Sequence, residues 1–256
     1  PKPDARLAPL FPWVISHFST AKPDADVLRP IQILNVIASV LTILLVFFCA
    51  RQAIGTFFAL LAAAMTAISP QMVNSTVYIL TEPIFTFLLW LGISLMVLAV
   101  SSQKSRAHWL WGLAGILIGL SALTRPTTQY LVFFLAFGLF LLDRQKFQRA
   151  AVLLVCGFML VYLPWMWRNF ISTGAISDST AFLNTLIHGH YPNLMFNGDV
   201  ATLGAPYRAD PELRFMSASL ANAFDVIWER GLEQPLLYMR WYTGGKIFAF
   251  FDWYDY

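Results

Sequence analysis

The chain has 256 residues, 58% of them hydrophobic and only 12% charged, against about 25% charged in a soluble domain. So little charge cannot cover a water-facing surface, which excludes an ordinary soluble domain and a disordered chain and points to an all-α polytopic membrane protein. The net charge of +3 is not gathered into a basic cluster, which excludes a nucleic-acid partner.

Taken in chain order, residues 1–29 begin at Pro1 without a methionine and read as the end of a first extracytoplasmic loop of a longer protein. Charges then punctuate the sequence. Arg29 and Arg51 bracket an uncharged run over 30–50, and 52–81 is uncharged up to Glu82. The runs 83–103, 107–124, 126–142 and 150–167 follow, separated by Lys104 and Arg106, by Arg125, and by Asp143, Arg144, Lys146 and Arg149; Arg168 closes the last. A helix rising about 1.5 Å per residue needs roughly 20 residues to cross a hydrocarbon core about 30 Å thick, and backbone groups in lipid must be satisfied internally. Six helical spans are predicted, near 30–50, 52–69, 83–101, 108–124, 127–143 and 148–167, forming a bundle over 30–170. Alternate short loops hold Arg51, then Lys104 and Arg106, then Arg144, Lys146 and Arg149, while those between hold only Arg125. The basic set marks the cytoplasmic side, so residues 1–28 and everything after Arg168 are expected on the extracytoplasmic face.

Residues 171–234 are polar and rich in turn signals (Asn197-Gly198, Gly204-Ala205-Pro206). They are expected to form an extracytoplasmic loop domain with a short helix near 211–231. The segment 235–256 is aromatic but interrupted by Arg240 and Lys246, which suits an interfacial or re-entrant helix, since Trp and Tyr favour the headgroup level.

The informative charges are Glu82, Arg125 and Arg168, which this topology places at one rim of the membrane. A charge at that depth is costly unless paired or hydrated and marks a candidate site; the plainer alternative is a helix end reaching toward water. Two guanidinium forks suit phosphate oxygens. An acid beside them could steer a substrate hydroxyl or hold the arginines in place. Arg6, Tyr130, Asn169, His188, His190 and Lys246 are further candidates for substrate contact. Gly112, Gly115 and Gly119 suggest close helix packing. His188-Gly189-His190 lacks an evident third ligand, and Cys49 and Cys156 lie in apolar runs without a CxxC partner, so no protein metal site is expected, while dependence on a divalent metal is left open by the sequence. Asn74-Ser75-Thr76 is an N-glycosylation sequon in an expected outer loop.

Several segments, in order, resemble polytopic glycosyltransferases of the GT-C class, in particular bacterial members of the dolichyl-phosphate-mannose–protein mannosyltransferase superfamily such as the aminoarabinose transferases. They are Arg6-Leu7-Ala8-Pro9-Leu10-Phe11-Pro12, Thr81-Glu82-Pro83 and Gly119 to Arg125-Pro126. Further on come Pro164-Trp165-Met166-Trp167-Arg168-Asn169 with Gly174, and Ser177-Asp178-Ser179-Thr180 leading to Asn184 and His188-Gly189-His190. The resemblance covers roughly residues 6–195. It implies a GT-C-like transmembrane helix bundle that moves a hexosyl or pentosyl group, with inversion, from a polyprenyl-phosphate-linked donor to a glycan, lipid or protein acceptor on the extracytoplasmic side of a bacterial inner membrane. The lipid-linked sugar is a substrate, and no cofactor is implied. Arg125 and Arg168 would bind the donor phosphate and Glu82 would be the second catalytic acid. The principal acid of the family lies ahead of the stretch that starts here at Arg6, so it is expected upstream of Pro1, and the piece alone is expected to be inactive. The competing functions are a transporter or flippase, which would place ionisable groups near the midplane, and a scaffold subunit of a glycan-assembly complex, for which the glycine-lined helix could serve a partner.

Overall fold

A computed structural model describes residues 8–18, 25–102, 108–142, 144–174, 176 and 179–251. All regular elements among them are helical, apart from one isolated bridge between Phe196 and Asp199. The chain divides into two compact units, Pro1–Ile176 and Ser177–Tyr256.

In the first unit the short helix α1 (Leu10–Ser16) precedes α2 (Ala25–Ile54), α3 (Thr56–Ala67), α4 (Pro70–Val77), α5 (Glu82–Ser101), α6 (His108–Thr124), α7 (Leu131–Leu142) and α8 (Arg144–Thr173). Among the described residues, three helices are long and apolar enough to cross a membrane: Leu28–Ile54, Glu82–Ser101 and Phe147–Thr173. All six expected apolar segments are helical, but three of them are not single helices of full spanning length. The 52–69 span is broken: α2 runs past Arg51 to Ile54, Gly55 turns the chain at φ +82°, and α3 and α4 meet at 44°. Pro70 causes the second break, because proline offers no N–H and forces the preceding Ser69 into an extended conformation (ψ 119°). The α6 segment His108–Thr124 and the segment Pro126–Leu142 are apolar but at most 17 residues long, about 26 Å of helix, short of the core thickness. The break also puts Asn74 within α4, so the sequon lies on a helix and not in a loop.

Two seams set the packing. Gln32 on α2 reaches the carbonyl of Val77, Asn35 that of Leu80, and Cys49 the hydroxyl of Ser94. That constant offset of 45 residues makes α2 and α5 parallel neighbours. The other seam is glycine against backbone between α6 and α8. A methyl group on Gly115 would lie 2.0 Å from the Leu154 carbonyl oxygen, one on Gly157 2.0 Å from that of Gly112, and one on Gly119 3.1 Å from that of Phe158. Only hydrogen fits at 115 and 157, the use of small residues that close helix approach in a membrane demands. Trp111, Ala114, Ile118, Leu154, Phe158 and Tyr162 fill the core around this seam.

The second unit holds α9 (Ser179–His190), α10 (Leu213–Met216), α11 (Leu220–Glu233), α12 (Pro235–Arg240), a π-turn over Trp241–Gly245, and α13 (Lys246–Phe251). The expected helix near 211–231 is two helices. Ser219 starts the second by accepting a hydrogen bond from the Asn222 N–H, the ordinary work of an N-cap serine. Leu183, Ile187, Tyr191, Met216, Ala223 and Val226 form its apolar core. Residues beyond 234 belong to this unit: the Trp241 indole donates to the carbonyl of Gly189 at 3.1 Å.

Candidate functional site

Glu82 opens α5, with Pro83 behind it in the first turn, where a proline's missing N–H costs nothing. Arg125 follows the end of α6, its backbone extended ahead of Pro126, as the residue before a proline prefers. Because α5 and α6 run antiparallel, these positions meet. An Arg125 guanidinium nitrogen donates to Glu82 Oε1, and the Thr81 hydroxyl donates to Glu82 Oε2 at 3.3 Å. The carboxylate and the guanidinium side chains remain 36% and 42% exposed, so the pair is preformed and open to a ligand. One carboxylate cannot use up the donors of a guanidinium, which has five N–H groups.

Arg168 lies at the same end of the bundle. The glycine seam makes α6 and α8 parallel, and its offset of 39–45 residues takes Arg125 to the level of residues 164–170. Tyr162, one turn and a half earlier on α8, donates to Gln129 Oε1 at 2.8 Å, just beyond Arg125. Arg168 is exposed, packs its guanidinium 4.9 Å above the Trp165 ring, and donates to Asn169 Oδ1 at 3.1 Å. Asn169 is itself buried, so among the sequence-derived candidates it holds Arg168 and does not face a ligand. Tyr130 is 60% exposed near Arg125 in sequence. Arg6 lies outside the described residues.

The remaining candidates fall in the second unit. His188 lines a cavity of about 670 Å³ with Asn184, Thr185, Tyr207 and Ser217, its ring 5.5 Å from that of Tyr207. His190, expected at a substrate surface, is instead fully buried, stacked 4.7 Å from the Tyr238 ring. Burial lowers its pKa to about 4, and the positive charges of Arg230 and Lys246 push the same way. It is a neutral core residue in this structure. Lys246 is half-buried over the Tyr242 ring at 4.0 Å, and burial lowers its pKa.

Sequence reasoning passed over the most elaborate polar cluster. Arg230 on α11 forks onto both oxygens of Asp210, at 2.8 and 3.0 Å, and also pairs with Glu212. Tyr191 donates to Asp210 at 2.6 Å and the Glu212 N–H donates to it at 2.9 Å. Burial works against charge on Asp210, yet the hydrogen bonds from Arg230, Tyr191 and Glu212 outweigh it and hold the carboxyl below its usual range. The signal was available: Arg230 continues the buried face of Ala223 and Val226 at helical spacing. Among the described residues His, Cys, Asp and Glu nowhere gather in threes that could hold a metal ion.

The bundle therefore defines an all-α integral membrane protein with the Glu82–Arg125 pair and Arg168 at one end. Residues 3–167 match the profile of the dolichyl-phosphate-mannose-protein mannosyltransferase family, and the chain belongs to that family, which makes it a glycosyltransferase of the mannosyltransferase type that draws on a polyprenyl-phosphate sugar. No curated protein and no solved structure matches it.

Proposed function

We propose that the protein moves a sugar from a polyprenyl-phosphate donor to an acceptor hydroxyl or amine at the extracytoplasmic end of the bundle, with inversion, in a bacterial inner membrane. The acceptor's lone pair attacks the anomeric carbon from the face opposite the phosphate. The bond from that carbon to the phosphate oxygen breaks, and its electron pair stays on the polyprenyl phosphate. The acceptor's proton goes to a carboxylate that the family resemblance puts ahead of Arg6. Glu82, engaged by Arg125, is the acid that holds this arginine in place. Arg125 and Arg168 face the charge that builds on the leaving phosphate oxygen. Preformed donors of this kind contribute about 2.7–4 kcal/mol each to lowering a barrier. The positive loops carrying Arg51 and Arg149 support the orientation.

The observation that carries this function is the open Glu82–Arg125 pair at the same end of the bundle as Arg168. The test is transfer from labelled polyprenyl-phosphate sugars by the full-length protein in membrane vesicles. Arg125→Ala and Arg168→Ala are each expected to lower the rate about 100- to 1000-fold. Transfer at the unmodified rate by both would overturn the phosphate assignment.

A further inference from the structure

The turn that delivers Glu82 is seated by one apolar side chain, Ile79, which packs against Phe11, Ile31, Ala38 and Ile84, but that contact leaves the turn's polar backbone groups to find other partners. Helix α4 ends at Val77, Tyr78 is extended (ψ 147°), and the Leu80 N–H folds back onto the Tyr78 carbonyl at 2.9 Å. A helix end leaves its last carbonyls without intrahelical partners, and beside a lipid phase an unpaired carbonyl is expensive. Two side-chain amides on α2 meet this need. Gln32 Nε2 donates to the Val77 carbonyl at 2.8 Å, and Asn35 Nδ2 donates to the Leu80 carbonyl at 3.3 Å. They thus hold both ends of the turn, the second only two residues before Glu82.

Asn35 makes this bond at a cost. It is completely buried in a helix otherwise built for a membrane, and its Oδ1 finds no partner among the described residues. A buried polar atom left unpaired is unfavourable, and a leucine at this position would pack in an apolar bundle without that penalty. The amide orientation follows from its neighbour, since only the NH₂ end can meet a carbonyl. A polar group retained in such a place marks function. The chemistry within reach is Glu82 and, through it, Arg125.

We propose that Gln32 and Asn35 are positioning residues for the transfer reaction: their amides clamp the 77–80 turn and so aim the Glu82 carboxylate that holds Arg125 toward the donor phosphate. This deepens the function proposed above and rests on it. The two residues touch no substrate. They set the height and rotation at which α5 begins, and hence the direction of the guanidinium.

The experiment is a double-mutant cycle in the full-length protein in membranes, measuring kcat and donor KM for Asn35→Ala, Glu82→Gln and the combination, with Gln32→Ala as a second entry to the clamp on a half-exposed side chain. Asn35→Ala is expected to lower kcat about tenfold, the order of one lost buried hydrogen bond, with donor KM changed less than about twofold. In the Glu82→Gln background it should cause no further loss, since residues acting through one another are not additive. Gln32→Ala should show the same pattern at smaller size, and it carries the test alone if the Asn35 variant does not accumulate in the membrane. Losses that add fully to that of Glu82→Gln, or that fall on protein yield with kcat per molecule unchanged, would overturn the clamp. Full activity of Glu82→Gln itself would overturn the assignment of Glu82, and the clamp with it.

Discussion

The molecule carries two acid–arginine sites, one in each unit, and they differ in burial. Glu82 and Arg125 keep more than a third of their side-chain surface. Asp210 keeps none of its own, and Arg230 keeps 18%. The open pair has a single hydrogen-bonded contact and a nearby threonine hydroxyl. The buried one is saturated: two guanidinium bonds, a phenol and a backbone amide converge on one carboxylate. An ion pair that still faces solvent adds little to stability and keeps donors free for a ligand. A pair whose every oxygen is taken binds nothing further and instead fixes the fold of the chain around it. Identical chemistry thus gives an open, ligand-accessible pair in one unit and a structural pin in the other.

The contrast is sharpest in what removal of each arginine should do. Arg230→Ala leaves the Asp210 charge buried without its partner, a change that typically costs about 3–5 kcal/mol. The second unit should lose its resistance to protease, whereas Arg125→Ala should leave that resistance and the bundle's thermal stability unchanged while lowering transfer about 100- to 1000-fold. A stable Arg230→Ala protein, or an unfolded Arg125→Ala one, would reverse the roles assigned to the two sites.

A second expected effect concerns acid. His190 is neutral when folded, with its pKa lowered to about 4 from an ordinary 6.5. Between these values the unfolded chain binds a proton that the folded one does not, so stability falls as pH falls from about 6.5 toward about 4. The full drop is about 3 kcal/mol at about 1.4 kcal/mol per pH unit. Asp210 acts lower still: its pKa is depressed, so the stability it gives is present above the ordinary carboxylate value and is lost as pH falls below it. Near-ultraviolet circular dichroism of the second unit's aromatic cluster, followed through a denaturant series at several pH values, reads the slope. His190→Phe should flatten it above pH 4, and an unchanged slope would remove His190 as its source.

The smallest effect is expected from Tyr191→Phe, which deletes one hydrogen bond to a charged acceptor, worth about 1.5–3 kcal/mol. Arg230 still neutralises Asp210 in that variant, so the unit should stay folded with a lowered midpoint in the same denaturant series. A loss equal to that of Arg230→Ala would mean the phenol and not the guanidinium secures the carboxylate.

How much of this was readable in advance follows from where the information lies. The helical segments were legible because uncharged runs bounded by Arg29, Arg51, Glu82, Arg125 and Arg168 leave few alternatives. The meeting of Glu82 with Arg125 was legible only as opposite charges at the ends of neighbouring uncharged runs, which sequence alone cannot bring into contact. The break at Ser69-Pro70 was also written in the sequence, but an uncharged run hides it when charges alone are counted. Asn35 and Gln32 look like ordinary tolerated polar residues until the turn at 78–81 is placed against them, which only the 45-residue register between α2 and α5 reveals. The Asp210–Arg230 site joins residues 20 apart across three elements, and pairing at that range has no local signature beyond an arginine on a buried helix face.

The glycines of α6 and α8 carry one further consequence. Where backbone meets backbone at Gly115 and Gly157 there is no side chain whose rotation could let the helices drift, so the two behave as a single strut. The heights of Arg125 and Arg168 along that strut are then fixed by main-chain geometry and not by the choice of apolar residues on its lipid side. The lipid-facing surface is left free to vary with the thickness or composition of the host bilayer while the charged end keeps its layout.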